Sequence, residues 1–188
     1  MVGYKLIAVT GIDGDISQFN SKLAQHFPNT SIIRYNKTIP YSKNYLNSMK
    51  QVSVYAEDVP FIILGWSIGG AIAIQCALKN NCIGCIAINT FSDRRAILAQ
   101  RNIDIDEEED ASPVHVPLKN KKILLIAGAK DTKINCSNSI EIFNAIKDRN
   151  NVTLYISSTT QHSIDSLSFN AINNIVYFIN SLTQEVSV

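Results

Sequence analysis

The sequence has no surplus of either charge and few charged residues in all. Its 188 residues include 17 basic and 16 acidic side chains, a net charge of +1, and only 18% of the chain is charged. Without a net positive field the chain cannot hold a polyanion by bulk attraction, which argues against a dedicated nucleic-acid binder. Hydrophobic residues make up 46% of the chain. Disorder over most of its length is therefore excluded, because disorder requires low hydrophobicity and high net charge.

Long apolar runs are also absent. Runs such as 61–64 are far shorter than the roughly 20 residues that span a bilayer. Residues 1–10 lack the basic start, apolar run and small-residue cleavage site of a secretory signal, and we expect them to open the fold as a strand. The length of 188 residues fits one domain at the usual ~100–200 residues per domain. These features predict a soluble cytoplasmic protein without a membrane span.

Cysteine is scarce, and its spacing offers little chemistry. Of four cysteines, Cys82 and Cys85 form a C-x-x-C pair, a spacing that occurs in redox and zinc sites. No second pair completes a zinc site. The pair also begins an apolar stretch rather than a helix, whose N-terminus would lower a thiol pKa. We therefore predict buried, reduced thiols.

Short apolar runs rich in β-branched residues alternate with amphipathic stretches along the whole chain. This alternation predicts right-handed strand–helix–strand crossovers. The fold class is therefore α/β, with a mostly parallel six-stranded sheet and helices on both faces. In such sheets ligands bind beyond the carboxyl ends of the strands. The predicted strands cover residues 4–9, 31–35, 61–64, 83–88, 122–127 and 152–156.

Capping signals mark two of the predicted helices. Asp15 is followed three residues later by Gln18, and Asn138 by Glu141. At this spacing the first side chain can accept a hydrogen bond from the first helical turn. We therefore expect helices to begin at these two positions.

The stretch 91–120 departs from the alternation. Residues 92–101 predict a short helix, and residues 104–110 form a strongly acidic run. A long insertion at a carboxyl edge is usually functional or mobile. We predict that residues 91–120 form a short lid or insertion within a single domain of residues 1–188. The acidic run is either a solvated loop or a binding surface.

The segment Gly65-Trp66-Ser67-Ile68-Gly69 matches the pattern G-x-S-x-G. It follows an apolar strand and opens a helix predicted over 67–79, which is the setting of a nucleophile elbow. Both glycines are required, because the turn is tight and the helix and strand approach closely. The Ser67 hydroxyl then projects at a helix N-terminus, where backbone N–H groups can stabilise an oxyanion. The pattern predicts Ser67 as a nucleophile; the alternative is an ordinary glycine-containing turn.

A serine nucleophile requires a base, since its hydroxyl is hardly ionised at neutral pH. Of the three histidines, His162 follows the last predicted strand and reaches the same sheet edge as Ser67. Asp131 follows the fifth strand, at that edge, and can orient the imidazole and stabilise its charged form. The order serine, aspartate, histidine is that of α/β-hydrolases. The alternatives are that Asp131 caps the next helix and that His162 has no partner.

On these residues the sequence resembles the α/β-hydrolase superfamily over nearly its whole length. Residues 61–77 are especially similar to the nucleophile elbow of thioesterases from peptide and polyketide synthases, and residues 10–15 to the glycine loop of that group. The resemblance implies an α/β-hydrolase fold that lacks the usual first two strands and has a short lid. Its thioesterase-like character implies an acyl ester or thioester substrate.

The resemblance also implies a role for each site residue. Ser67 is the nucleophile, His162 the base and Asp131 the acid, and the backbone N–H groups of Ile68 and Ile12 form the oxyanion hole. Some synthase-embedded thioesterases place the acid after the strand that is the fourth here, where this sequence has Asn89. An asparagine cannot carry the charge, so Asp131 is preferred, with Asp93 as the alternative acid.

The predicted activity is hydrolysis of an ester or thioester through an acyl-enzyme, with no cofactor and no metal. The expected partner is a small-molecule acyl ester or thioester, either free or bound to a carrier protein, and no nucleic acid. Three alternatives use the same fold: an acyltransferase, an amidase or peptidase, and a non-catalytic binding module. The oligomeric state is not predicted.

Overall fold

A computed structural model describes residues 4–12, 16–36, 38, 41–100 and 112–185 of the chain. Strands and helices alternate through these ranges, as predicted. The strands are β1 (Lys5–Val9), β2 (Ser31–Ile33), β3 (Phe61–Trp66), β4 (Cys82–Ile88), β5 (Lys122–Gly128) and β6 (Asn151–Ser157). The helices are α1 (Ile16–Lys22), α2 (Tyr41–Ala56), α3 (Ile68–Cys76), α4 (Arg94–Gln100), α5 (Ser137–Ile146) and α6 (Phe169–Glu185).

The six strands form one sheet in the order β2-β1-β3-β4-β5-β6. Every neighbouring pair is parallel, which confirms the predicted fold class. The chain runs outward from β1 to β2 and then returns to the other side of β1 as β3. The carboxyl ends of β1 and β3 therefore flank the point where the strand order reverses, which is where open α/β sheets bind ligands.

Helices cover both faces of the sheet, and the side chains of each strand alternate between two apolar cores. In β3, Phe61 and Ile63 belong to the core beneath α2, α3 and α5. Ile62 and Leu64 belong to the core beneath α1 and α6. Burial on both faces explains why the strand sequences are apolar runs rather than alternating patterns.

Helix α5 does not begin at the predicted cap. The prediction that Asn138 and Glu141 cap a helix is wrong, because α5 begins at Ser137 and Asn135 Oδ1 accepts the Ser137 N–H (2.9 Å). Asn138 and Glu141 instead bind Ser92, whose hydroxyl lies 3.0 Å from Asn138 Oδ1 and 2.5 Å from Glu141 Oε2. The other predicted cap, Asp15, lies outside the described residues.

The predicted insertion is described only at its two ends. The short helix expected over 92–101 is α4 (Arg94–Gln100), and a 3-10 turn spans Pro113–His115. The acidic run at 104–110 lies outside the described residues. Among the helices that are described, none combines the length and apolar character needed to cross a bilayer.

Candidate active site

The turn between β3 and α3 has a strained backbone at Ser67, where φ is 57° and ψ is −124°. A methyl group on Gly65 would lie 2.0 Å from the Gly69 carbonyl oxygen, and one on Gly69 would lie 2.2 Å from the Val9 carbonyl oxygen. Because both clashes are with backbone, neither position accepts a side chain. The close approach of α3 to β1 and β3 therefore requires glycine on each side of Ser67, as the pattern predicts.

The structure brings Ser67, His162 and Asp131 together beyond the carboxyl ends of β3, β5 and β6. His162 Nε2 lies 3.1 Å from Ser67 Oγ, and His162 Nδ1 lies 2.8 Å from Asp131 Oδ2. A neutral imidazole that donates its Nδ1 proton to the carboxylate leaves Nε2 free to accept the serine proton. The arrangement can therefore pass a proton from the hydroxyl to the imidazole.

The Asp131 side chain has no exposed surface, and its two oxygens have different partners. Oδ2 faces His162, while Oδ1 accepts the backbone N–H groups of Lys133 (2.8 Å) and Ile134 (2.9 Å). Burial by itself raises the pKa of the Asp131 carboxyl. The hydrogen bonds from His162 and from the two backbone groups, with the attraction of the imidazole, outweigh burial and hold the pKa below its ordinary value. The carboxyl is consequently charged at neutral pH.

The two predicted oxyanion donors belong to the turn that carries Ser67 and to the loop after β1. Ile68 is the first residue of α3, and the first N–H groups of a helix have no acceptor within the helix. Ile12 follows Gly11, where an added methyl group would lie 3.3 Å from Ser67 Cβ and 3.1 Å from Trp66 Nε1. The loop after β1 thus passes directly against the serine. The role of these two N–H groups as oxyanion donors stays a prediction.

The alternative acid, Asp93, does not reach this site. Asp93 Oδ1 accepts the N–H groups of Arg95 (2.7 Å) and Ala96 (3.3 Å) and lies 3.2 Å from Ser112 Oγ. Its carboxylate therefore caps α4, because the first turn of that helix offers free N–H groups.

Asn89 has a structural role that its sequence context does not predict. In the structure Asn89 is 2% exposed, has a φ of 47° and binds the loops on both sides of it. Its Nδ2 donates to the carbonyl oxygens of Gln161 (2.6 Å) and His162 (3.2 Å), and its Oδ1 accepts the Gly128 N–H (2.8 Å). The one signal in the sequence is an asparagine directly after a strand, since asparagine adopts positive φ more readily than most residues.

Solved structures share this architecture at low sequence identity. One of the metagenome-derived lipolytic enzymes LipS and LipT has a TM-score of 0.72 and 14% identity, over 95% of this chain and 94% of that one. A structure from a study of carboxylesterases of the thaumarchaeon Nitrososphaera gargenis has a TM-score of 0.69 and 13% identity, over 97% and 92%. Mouse alpha/beta hydrolase domain-containing protein 10 has a TM-score of 0.66 and 15% identity, over 97% and 90%.

By sequence, no family model and no curated protein matches the chain. The structural likeness alone shows that the chain has the α/β-hydrolase fold. Because one fold supports many chemistries, its function has to be argued from the site.

Proposed function

We propose that the protein is a serine hydrolase that cleaves a carboxylic ester or thioester through an acyl-enzyme. The observation that carries the proposal is the hydrogen-bonded chain in which His162 Nε2 lies 3.1 Å from Ser67 Oγ and His162 Nδ1 lies 2.8 Å from Asp131 Oδ2. A hydroxyl, an imidazole and a buried carboxylate in this order are the parts that nucleophilic acyl transfer requires.

In the first step Ser67 Oγ attacks the substrate carbonyl carbon while His162 Nε2 takes the hydroxyl proton. The N–H groups of Ile68 and Ile12 stabilise the negative oxygen that forms. His162 then gives its proton to the departing alcohol or thiol, which leaves an acyl group on Ser67. In the second step His162 removes a proton from water, the resulting hydroxide attacks the acyl-enzyme, and the acid product leaves as Ser67 regains its proton.

Asp131 supports both steps without giving up its charge. Its carboxylate accepts the Nδ1 proton, which fixes the tautomer in which Nε2 is the base. As Nε2 gains a proton, the negative charge of Asp131 stabilises the imidazolium. The lowered pKa of Asp131 suits this role, because a carboxyl that stays ionised is available as the partner of a positive imidazole.

Two further observations favour ester and thioester substrates. Solved structures with this fold include a lipolytic enzyme and carboxylesterases, and residues 61–77 resemble the elbow of synthase thioesterases. We infer a small acyl ester or thioester as the substrate, free or bound to a carrier protein. The reaction requires no metal and no cofactor.

The proposal is tested first by covalent labelling with a fluorophosphonate, which reacts with activated serines. We expect the wild-type protein to be labelled and Ser67→Ala to remain unlabelled, while Ser53→Ala, which alters an exposed serine of α2, is labelled like the wild type. Equal labelling of wild type and Ser67→Ala would contradict the proposal. So would a wild-type protein that is not labelled at all.

A substrate panel then separates the possible reactions. An oxygen ester, a thioester and an amide of the same acyl group are compared, each with and without an added alcohol or amine acceptor. We expect the ester and thioester to be cleaved and the amide to be spared, with the free acid as the main product. A product that shifts to the acceptor adduct at low acceptor concentration would identify a transferase instead, and preferential amide cleavage an amidase.

A further inference from the structure

The backbone ends of β3, β4 and β5 are joined at the residues that border the site. The Ser67 N–H donates to the Ile88 carbonyl oxygen (2.9 Å), and the Asn89 N–H donates to the Ile126 carbonyl oxygen (2.8 Å). The backbone of Asn89 therefore lies between the turn that carries Ser67 and the strand that leads to Asp131.

The Asn89 side chain extends this connection to β6. Its Oδ1 binds the N–H of Gly128, the last residue of β5 and three residues before Asp131. Its Nδ2 binds the carbonyl oxygens of Gln161 and of His162 itself. One buried amide thus holds the start of the loop that carries Asp131 and the backbone of His162.

The segment between β5 and α5 binds the His162 loop at Ser157 and Thr160. Ala129 N–H donates to the Ser157 carbonyl oxygen (2.9 Å) and Lys130 N–H to the Thr160 carbonyl oxygen (3.2 Å). A methyl group on Gly128 would lie 2.3 Å from that Thr160 oxygen, so the two loops are in direct contact there. Beyond Thr160, the hydrogen bonds that reach the backbone at Gln161 and His162 include the two from Asn89 and one between Gln161 N–H and Ser166 Oγ (2.9 Å).

We propose that Asn89 is a positioning residue, which keeps the imidazole of His162 within reach of Ser67 and Asp131 at the same time by fixing the His162 backbone to the end of β5. The inference rests on the proposed function and deepens it. The hydrogen bonds of the Asn89 side chain go to backbone groups and not to the side chains of Ser67, Asp131 or His162, so Asn89 acts through the His162 backbone.

Asn89→Asp removes the two donated hydrogen bonds at almost constant volume. The new carboxylate still accepts the Gly128 N–H, but it has no hydrogen to donate and it faces the oxygens of Gln161 and His162. We expect these oxygens to be repelled and the His162 loop to shift. Because a displacement of about 1 Å costs about 10²-fold in rate, we expect kcat to fall about 10²-fold with little change in KM.

Asn150 provides a matched control at the other end of the sheet. Its Oδ1 accepts the Lys121 N–H (3.0 Å), and its Nδ2 donates to the carbonyl oxygens of Leu118 (3.1 Å) and Ile146 (2.9 Å). Asn150→Asp therefore removes the same number and type of hydrogen bonds, at a distance from Ser67. We expect this variant to lose stability but to keep kcat within about twofold of the wild type.

The position of His162 is read directly from the NMR resonance of its Nδ1 proton, which a short hydrogen bond to Asp131 shifts far downfield. We expect this resonance in the wild type and in Asn150→Asp, and its loss or upfield movement in Asn89→Asp. At temperatures below the unfolding transition, a general loss of stability would leave the position of this resonance unchanged. If Asn89→Asp keeps both the resonance and the kcat of Asn150→Asp, the proposal is overturned.

This readout separates the two proposals. Suppose that the wild type hydrolyses no ester and resists the fluorophosphonate, but that the Nδ1 resonance of His162 is present in the wild type and in Asn150→Asp and is lost in Asn89→Asp. The proposed function then fails and the positioning role stands. Asn89→Gly supplies a second variant, since glycine accepts the positive φ at this position without strain; it is expected to lose the resonance as well. If neither variant folds, Asn89 serves the fold rather than the site, and the proposal is overturned.

Discussion

Asn89 and Asn150 make the same set of hydrogen bonds at opposite ends of the sheet. Each accepts one backbone N–H through Oδ1 and donates to two carbonyl oxygens through Nδ2. At the amino end, the bonds of Asn150 join segments that lead into β5 and β6. At the carboxyl end, the bonds of Asn89 join the segments that carry Asp131 and His162. The same set of hydrogen bonds therefore links the segments before β5 and β6 at one end and the loops of Asp131 and His162 at the other.

Backbone strain does not distinguish the two ends. Positive φ values occur at Glu57 (50°) and Asn120 (57°) at the amino end, and at Ser67 (57°) and Asn89 (47°) at the carboxyl end. Strained residues concentrate at functional sites, but here strain also occurs in ordinary turns before β3 and β5. The carboxyl end differs because side chains from three loops form one hydrogen-bonded chain there. Three substitutions and one chemical modification sharpen this contrast.

The largest effect is expected from His162→Ala, which removes the proposed base. Loss of a base that acts together with a serine costs about 10⁶-fold in kcat, and we expect a loss of this order in steady-state hydrolysis of an activated ester. His26→Ala alters an exposed histidine and should leave kcat unchanged. A loss in His162→Ala of less than tenfold would show that Ser67 is not activated by this imidazole.

Asp131→Asn is expected to have the next largest effect, about 10⁴-fold in kcat, because an amide does not select the imidazole tautomer in which Nε2 is the base. The same substitution should also change how the stability of the folded protein depends on pH in the acid range. The folded-state pKa of Asp131 lies below its ordinary value, so in that range the folded protein binds fewer protons than the unfolded chain. The stabilisation is present above about pH 4 and is lost as pH falls through the folded-state pKa.

Thermal unfolding at a series of pH values checks the second effect. The difference in Tm between wild type and Asp131→Asn should be greatest near neutral pH and should narrow as the pH falls below about 4. A difference that is constant over this range, or that widens in acid, would contradict the role of the charged carboxylate.

At the amino end, Asn81→Ala should change stability and leave catalysis unaltered. Asn81 Nδ2 donates to the carbonyl oxygens of Glu57 (3.0 Å) and Val59 (3.1 Å). Loss of such hydrogen bonds costs about 1 kcal/mol, or a fall in Tm of roughly 2–4 °C for a chain of this size. Calorimetry and ester hydrolysis are measured on the same preparation; a large fall in kcat would show that the two ends are coupled.

The smallest effect on activity is expected from treatment of the folded protein with thiol reagents. The C-x-x-C prediction is confirmed in that Cys82 and Cys85 are both free and buried. Burial raises the pKa of Cys82 to about 11 and holds the pKa values of Cys76 and Cys85 well above their ordinary range. After brief treatment of the folded protein with iodoacetamide, mass spectrometry should find modification at half-buried Cys136 alone, and at all four cysteines in denaturant. Modification of Cys82 in the folded state without loss of activity would contradict this expectation.

Most of the sheet could be predicted from local sequence, because strands that are buried on both faces consist of apolar, β-branched runs. The end of β2 shows the limit of that signal. The sequence predicts a strand over residues 31–35, but β2 ends at Ile33. The Tyr35 N–H instead binds Thr10 Oγ1 (2.8 Å), a contact 25 residues away in sequence that no periodicity encodes.

In the candidate site, too, some residues could be predicted from local sequence and others could not. Ser67, Asp131 and His162 could each be placed at the carboxyl edge from the strand that precedes it, and the glycines around Ser67 form a local pattern. The contribution of Asn89 could not be read in advance, because it depends on where three other strands end. The pairing of Ser92 with Asn138 and Glu141 was missed for the same reason, since it joins the segment after β4 to α5.

The hydroxyl, carboxylate and imidazole of the site follow β3, β5 and β6, so that 95 residues separate Ser67 from His162 in the chain. No fragment that lacks the last strand contains a complete proton path. If the proposed function holds, turnover reports assembly of the sheet as far as β6. During refolding it should then appear only with the final cooperative step, after any early collapse around the central strands.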